Sequence, residues 1–442
     1  MAIKQIVRVF VLGCFFLTPL HAGTYSGGGD GSPENPFQLA TVTDLVNLST
    51  ASADWGSCFI LTGDILIMTA AFNQAVIAPD TDNTNLSFEG TPFTGRFDGR
   101  GFKITNLTIH TLNTGNDYLG LFGKLGAGAV VENLTLENVK ITGGQDSFYI
   151  GGLAGVNTGT IRNCRTAGTI SCTGDHTLCA GGLVGSNSAN VQTSSAFVNL
   201  TIQDDSYAVG GLVGENSTTS AIINKCFASG KVTVWTYSYY IGGLVGDNFW
   251  GNIYYSYATG NVSGPYYYLR QAGGLAGRNR LGIIQNSFST GQVVAGYSTD
   301  VGGFLGYSSG GTVTSCFWDK DTSQQATSAG GAGVVGKTTA EMKTRATFTA
   351  AAWDFLGEDA NGTADIWRLC NDEVDYPQLS WVLAQNGDLD CPDGVALEDL
   401  IYLAGRWLAD TASLAGTADI NGDAAVDLCD FALLAQHWLQ DA

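Results

Sequence analysis

The sequence predicts an all-β protein, a parallel β-helix built of coils of about 30 residues and capped at both ends, followed by a small all-α domain. Three observations predict it. A Gly-Gly-Leu phrase returns at nearly constant spacing through the middle of the chain. The runs between its copies are β-branched or aromatic, bounded by Gly, Asn and Ser, and carry no helical period. Near the C terminus the composition changes to two acidic loops, each leading into an apolar run.

The phrase is the rung of a ladder. Its second glycine falls at 120, 152, 182, 211, 243, 274 and 303, so successive copies lie 32, 30, 29, 32, 31 and 29 residues apart. A second phrase keeps the same register, as in Ile222 to Gly230, Ile253 to Gly260 and Ile283 to Gly291. Each repeat is therefore expected to be two or three strands with their turns. A unit that small cannot bury its own apolar face, so neighbours must stack about 4.8 Å apart, equivalent residue over equivalent residue.

Stacking turns the repeats into columns. Asn157, Asn187, Asn216, Asn248 and Asn279 form one, a ladder of amides expected to end at Lys124 and Tyr307. Cys164, Ser195, Cys226, Ser256, Ser287 and Cys316 form a second, of small residues that suit a narrow interior. Phe227, Tyr257, Phe288 and Phe317 form a third. The rung and its register closely resemble the GLUG repeat of secreted and cell-surface bacterial proteins, over about residues 115 to 320. The resemblance implies a β-helix and no particular activity.

In chain order, residues 1–22 read as a secretory signal: Lys4 and Arg8 accompany an apolar stretch to Leu20, and Leu20-His-Ala22 before Gly23 forms a cleavage site. An uncleaved anchor is the alternative, and Val11-Leu-Gly-Cys14 resembles a lipidation box. Residues 23–109 form the opening cap and a first irregular coil, with a helix from Thr41 to Leu48 and the coil from Phe93 to Ile109. The repeats occupy 110–320. Residues 321–383 form a closing cap and linker rich in aromatics, including Trp353, Trp367, Tyr376 and Trp381.

Composition agrees with an exported protein. Charged residues are 14% of the chain, Gly numbers 60, and the net charge is −20, which disfavours nucleic acid and anionic membranes as partners. Of the ten cysteines, those of the small-residue column are expected to be buried thiols, and Cys172 with Cys179 is the best local candidate for a bridge.

Residues 384–442 hold the clearest ligand motif. Asp388 to Asp399 leads into Leu400 to Leu408, and Asp419 to Asp430 leads into Phe431 to Leu439, a duplication offset by 31 residues. Twelve-residue loops with oxygen side chains at the first, third, fifth, ninth and twelfth positions suit calcium, and 11 acidic residues against one basic residue from Asn386 onward need a cation to offset their repulsion. The pair resembles a dockerin, with tandem EF-hand-like loops and a cohesin partner. That resemblance implies Asp419, Asn421, Asp423, Asp427 and Asp430 as ligands, with the carbonyl of Ala425, and Asp388, Asp390 and Asp399 in the first loop. Pro392 stands where a fifth-position ligand belongs, leaving Asp393 to turn inward or the first loop weaker.

Other signals are weaker. The residue before each ladder Asn runs Val156, Ser186, Glu215, Asp247, Arg278, which brings Glu215 and Asp247 onto adjacent coils at a spacing of about 5 Å, as in retaining glycosidases. The simpler expectation is a surface charge ladder. Phe227, Tyr257 and Phe288 are candidates for stacking on sugars, unless they pack on each other or on long turns; Trp235, Tyr237, Tyr239, Tyr240 and 266–268 crowd two turns. No zinc-ligand spacing or nucleophile elbow occurs. The expectation is a secreted, noncatalytic β-helix for adhesion or carbohydrate binding, docked to a partner with calcium. A polysaccharide lyase or hydrolase is the first alternative, and a structural envelope or matrix protein the second.

Overall fold

The chain winds into a parallel β-solenoid of about seven coils, in a computed structural model describing residues 23–441 except 69–70, 112–115, 265–268, 297, 299, 359, 385–396, 406–417, 419 and 421–425. One coil runs through Leu178–Gly181, Val184–Asn187, Asn190–Gln192 and Ser195–Ile202. Each strand pairs in parallel with its counterpart one coil on, Leu178 with Tyr207, Val184 with Val213, Asn190 with Ile222 and Ser195 with Phe227. Four sheets result, here I to IV in that order, with six, seven, ten and fourteen strands among the described residues. A repeat thus has four strands rather than two or three, because the rung is itself a bend between two of them.

The bend explains the glycines. A Cβ on Gly211 would lie 2.0 Å from the Gly243 carbonyl oxygen of the next coil and one on Gly182 would lie 2.2 Å from that of Gly211, so space rather than torsion demands glycine there. The leucine that follows points inward: Leu153, Leu183, Leu212, Leu244 and Leu275 are all fully buried. Each is worth about 1.5–3 kcal/mol of apolar burial. At the corner between sheets III and IV, Asn163, Thr193, Lys225, Tyr255, Asn286 and Ser315 all take positive φ. That left-handed residue turns the chain sharply, and the small residue after it faces the interior. Here the expected column shifts by one, because Ser195 pairs with Phe227 and Ser194 takes the place beside Cys226. The Ser194 hydroxyl accepts from the Cys164 amide at 3.0 Å, as Ser256 does from Cys226 at 3.1 Å. The repeats of unequal length hide that shift in the sequence.

Stacking begins earlier than residue 93. Phe37–Leu39, Cys58–Leu61 and Arg96–Asp98 are already successive rungs of sheet III. The expected helix spans Val42–Thr50 and covers the first coil with Leu45 and Leu48. Thr41 and Asp44 close it with a reciprocal capping box. Burial alone would raise the Asp44 carboxyl, but hydrogen bonds from Ser26, Ala40 and Thr41 outweigh it and hold the group below its usual range.

At the other end Cys316–Asp319 and Val334–Lys337 extend sheet IV, and the amides of Gly303 and Ala329 pair with Thr327 and Leu305 carbonyls to close the last coil. The chain then leaves the axis. Through the short helices Thr339–Met342 and Arg345–Thr349 and on to Ala384 it runs back along the outside of sheet IV as a strap. Trp353 donates to the Ser315 carbonyl and Trp381 to the Lys225 carbonyl, each at 2.9 Å. Those carbonyls occupy the same corner position three coils apart, about 14 Å along the axis.

Among the described residues Cys172 and Cys179 are free thiols, so the expected bridge between them is absent, while Cys370 is disulfide-bonded. Cys164, Cys226 and Cys316 are free and buried, as their column required. The expected leader, 1–22, lies outside the described residues.

Candidate functional site

The asparagine column is a continuous buried ladder. Each side-chain amide donates to the next Oδ1 at 2.8 Å, from Asn157 to Asn187, Asn216, Asn248 and Asn279. All five are fully buried. It ends one position later than expected, at Leu125 and Ser308, which pair with Asn157 and Asn279. The ladder is structural: its amides bond one another, and those of Asn157, Asn187, Asn248 and Asn279 also hold backbone carbonyls.

The neighbouring column places Ser186, Glu215, Asp247 and Arg278 in register on sheet II. It is no open charge ladder, because Asp247 is buried and the column lies against Cys179 and Tyr240 at the end of sheet I. Arg278 grips Asp247 with two nitrogens, donates to the Tyr240 hydroxyl at 2.6 Å, and stacks 3.7 Å from the centre of that ring. Burial opposes ionisation of Asp247 and the guanidinium offsets that cost only in part, so the carboxyl stays above its usual range. Glu215 has no such partner: burial and the Asp247 charge raise its carboxyl, while Arg278, Cys179 and Ser186 pull it back less strongly. The folded state therefore holds the Glu215 proton above the ordinary glutamate pKa near 4.3, and stability drains away as pH rises through the folded value. Glu215→Gln is expected to gain stability over the parent at about pH 8 and to match it near pH 4; guanidinium unfolding at the two pH values checks this.

The aromatic column faces outward from the coils as expected, yet it is not a surface. Phe227 and Tyr257 stack at 4.9 Å and 4°, and Tyr257 and Phe288 at 4.9 Å and 8°. The strap covers them: Phe288 meets Trp353 at 6.2 Å and Trp367 at 5.8 Å, and Phe317 meets Phe348 at 5.3 Å. Phe227, Tyr257 and Phe288 are thus core residues rather than an open sugar platform. The strap follows the repeats and shares none of their period, so the column alone does not show what covers it.

A partly exposed stripe exists elsewhere, on sheet I. Phe148, Leu178, Tyr207, Tyr239 and Arg270 stand in register, one per coil. Tyr207 is 37% exposed and lies 5.8 Å from Tyr239 and 4.5 Å from Tyr240. Beside the stripe the turn into each strand forms a rim of Asp146, His176, Asp205 and Tyr237, all at positive φ. His176 sits between two carboxylates, with Nδ1 3.3 Å from Asp146 and Nε2 3.7 Å from Asp205. Stripe and rim enclose a shallow hollow of about 660 Å³. The sequence marks this column by a fixed offset, three residues before the first rung glycine at 151, 181, 210, 242 and 273. Of the aromatics expected to crowd two turns, Tyr237 and Tyr239 belong to it; residues 266–268 lie outside the described residues.

Of the expected calcium ligands, Asp399, Asp427 and Asp430 are described. Asp399 and Asp430 are buried in the helices Leu397–Gly405 and Leu428–Asp441. Asp430 accepts the amides of Ile420 at 2.6 Å and Asp427 at 2.8 Å. Asp388, Asp390, Asp393, Asp419, Asn421, Asp423 and Ala425 lie outside the described residues. Among the described residues no group of three His, Cys, Asp or Glu side chains is placed to hold a metal ion. No helix among them is long and apolar enough to cross a membrane.

Comparison with known proteins follows the coils. The GLUG motif matches residues 146–171, 205–233 and 237–263. The chain is 37% identical over 180 residues to halomucin of Haloquadratum walsbyi, which covers 39% of this chain and 2% of that protein. It is 30% identical over 486 aligned positions to a protein of Evansella cellulosilytica with the provisional name Gly-rich membrane protein, covering 88% of this chain and 50% of that one. The chain thus spans half or less of the length of either relative. A crystal structure provisionally described as an immunoglobulin A1 protease from Bacteroides ovatus overlaps 81% of this chain and 95% of its own, at 16% identity and a TM-score of 0.49. A second, titled IgA1 Protease, gives 17% identity and a TM-score of 0.43 over 79% of this chain and 26% of its own. Coils, register and motif agree: the chain carries GLUG repeats wound into a parallel β-solenoid.

Proposed function

We propose that the protein is an extracellular, noncatalytic β-solenoid that binds carbohydrate on the outer face of sheet I and is held to a partner through residues 384–442. The stripe of Phe148, Leu178, Tyr207 and Tyr239 with its rim of Asp146, His176 and Asp205 carries this reading. Aromatic rings lay apolar area against sugar faces, and carboxylates and imidazole pair with hydroxyls. Relatives named halomucin and Gly-rich membrane protein support a place at the cell surface. A glycan array tests the platform: the Tyr207→Ala/Tyr239→Ala double variant should bind the parent's best ligand about tenfold or more weakly. Unchanged binding would remove the platform from the account.

For the C-terminal residues the proposal is a calcium-dependent, dockerin-like module with a cohesin-like partner. The side chains the sequence offers there are all oxygen donors, and Asp399 and Asp430, at the twelfth positions, are buried carboxylates. Calcium would supply the positive charge that two acidic loops need. Addition of calcium should release heat and raise the melting temperature, and Asp423→Asn should reduce both; calcium without effect on either would count against the module.

Polysaccharide cleavage stands as a second reading, favoured by one observation. Glu215 keeps a raised carboxyl one strand from Asp247, as a general acid requires. Arg278 occupies Asp247, which leaves Glu215 without a free carboxylate partner.

A further inference from the structure

The strap does more than cover the aromatic column, because it leaves a groove of about 560 Å³ between itself and sheet IV. Where the column reaches Ser195 the ring is missing, and Phe197 and Trp381 line the groove beside Phe227. Phe197 meets Phe227 edge-on at 5.3 Å, and Trp381 lies 5.7 Å from the same ring. Beside the covered rings the floor carries hydroxyls, Ser229 and Thr259 on successive coils. From Arg165 to Phe288 the groove crosses four coil spacings, about 19 Å.

Its charge departs from that of the chain. Acidic residues outnumber basic ones 40 to 20 overall, yet the groove is lined by Arg165 and Lys343 against Asp375 alone. Asp375 is already engaged by the Asn371 amide at 2.8 Å. Arg165 is exposed and sits over Phe197, 4.2 Å from its centre, at one end of the groove. Lys343 sits over the Tyr376 ring, 5.2 Å from its centre, on the strap side. The strap holds this wall firmly, since the Tyr376 hydroxyl donates to Asp319 at 2.6 Å.

We propose that this groove binds a short acidic oligosaccharide, about four sugars long, with its carboxylates at Arg165 and Lys343 and its ring faces against Phe197 and Trp381. A groove of this volume suits a small ligand, and rings with hydroxyls and few cations match the apolar faces, hydroxyls and carboxylates of a uronic-acid chain. An extended peptide fits less well. The floor is the face of a sheet, so no free strand edge offers main-chain hydrogen bonds. The site lies on sheet IV and stands without the sheet I platform.

Calorimetry of the full chain with tetragalacturonate, cellotetraose and tetraglutamate, at low and high salt, tests the proposal. Tetragalacturonate should bind saturably and weaken with salt. Arg165→Gln, at an exposed residue, and Lys343→Gln, at a half-buried one, should each weaken it about tenfold, as loss of a charge-assisted hydrogen bond implies. Thr259→Trp should fill the groove and abolish binding. No saturable heat with tetragalacturonate overturns the proposal, as does equal binding of cellotetraose or tetraglutamate, or indifference to both charge variants. Retention of binding in Thr259→Trp would place the ligand on another face and overturn the proposal.

Discussion

Trp353→Ala is expected to destabilise the protein by about 3–5 kcal/mol, the range for removing a fully buried tryptophan. Trp353 is fully buried, stacks on Trp367 at 4.6 Å, packs on Phe288, Phe317 and Phe348, and donates to the Ser315 carbonyl. Truncation opens a cavity in the middle of the strap and orphans the corner carbonyl. Because the strap is separate from the coil-to-coil ladders, the damage should fall on it first. Limited proteolysis should then cut between 338 and 384 while far-ultraviolet circular dichroism keeps its β-sheet signal. A variant with unchanged resistance and unfolding midpoint would show that the strap is not held by this contact.

Asn216→Leu is expected to be nearly as damaging. Asn216 accepts from Asn187 and donates to Asn248 inside a fully buried column. Leucine has the size but neither group, so an amide N–H of Asn187 and the Oδ1 of Asn248 both lose a ladder partner, at about 1–3 kcal/mol each. Asn279→Leu, at the ladder's end, removes only the acceptor for Asn248 and one contact to the Gly282 carbonyl. Guanidinium unfolding should therefore rank Asn216→Leu below Asn279→Leu in stability. Equal midpoints would mean the amide ladder adds nothing beyond its turns.

The coils were legible because stacking repeats chemistry as well as length. A bend that admits no Cβ must be glycine in every coil, and a buried turn amide must find the next amide, so Gly211 and Asn216 announce themselves through their counterparts. Errors of one residue crept in at Ser195 and at the ladder ends, where coils of 29 to 32 residues slide against each other. The strap was illegible for the opposite reason. Trp381 meets Lys225 across 156 residues, and nothing in either local sequence encodes that meeting.

The same contrast governs the sites. Glu215 beside Asp247 followed from register alone, whereas the grip of Arg278 on Asp247 and the burial of the pair follow from the bend that brings Tyr240 over them. The sheet I stripe was present as a fixed offset from the rung glycines. It was masked by the more regular aromatic column at Phe227, Tyr257, Phe288 and Phe317, whose regularity belongs to packing under the strap. In this protein the periodic rings are core, and the less regular row of Phe148, Leu178, Tyr207 and Tyr239 is the surface.

One measurement tests the central claim most directly. The parent protein and Tyr207→Ala/Tyr239→Ala are incubated with the polysaccharide that the parent binds best, and retained ligand and newly formed reducing or unsaturated ends are followed together. Retention by the parent, loss in the double variant and no new chain ends are the predicted outcome. New ends that vanish with Glu215→Gln would contradict it, and would make the solenoid an enzyme.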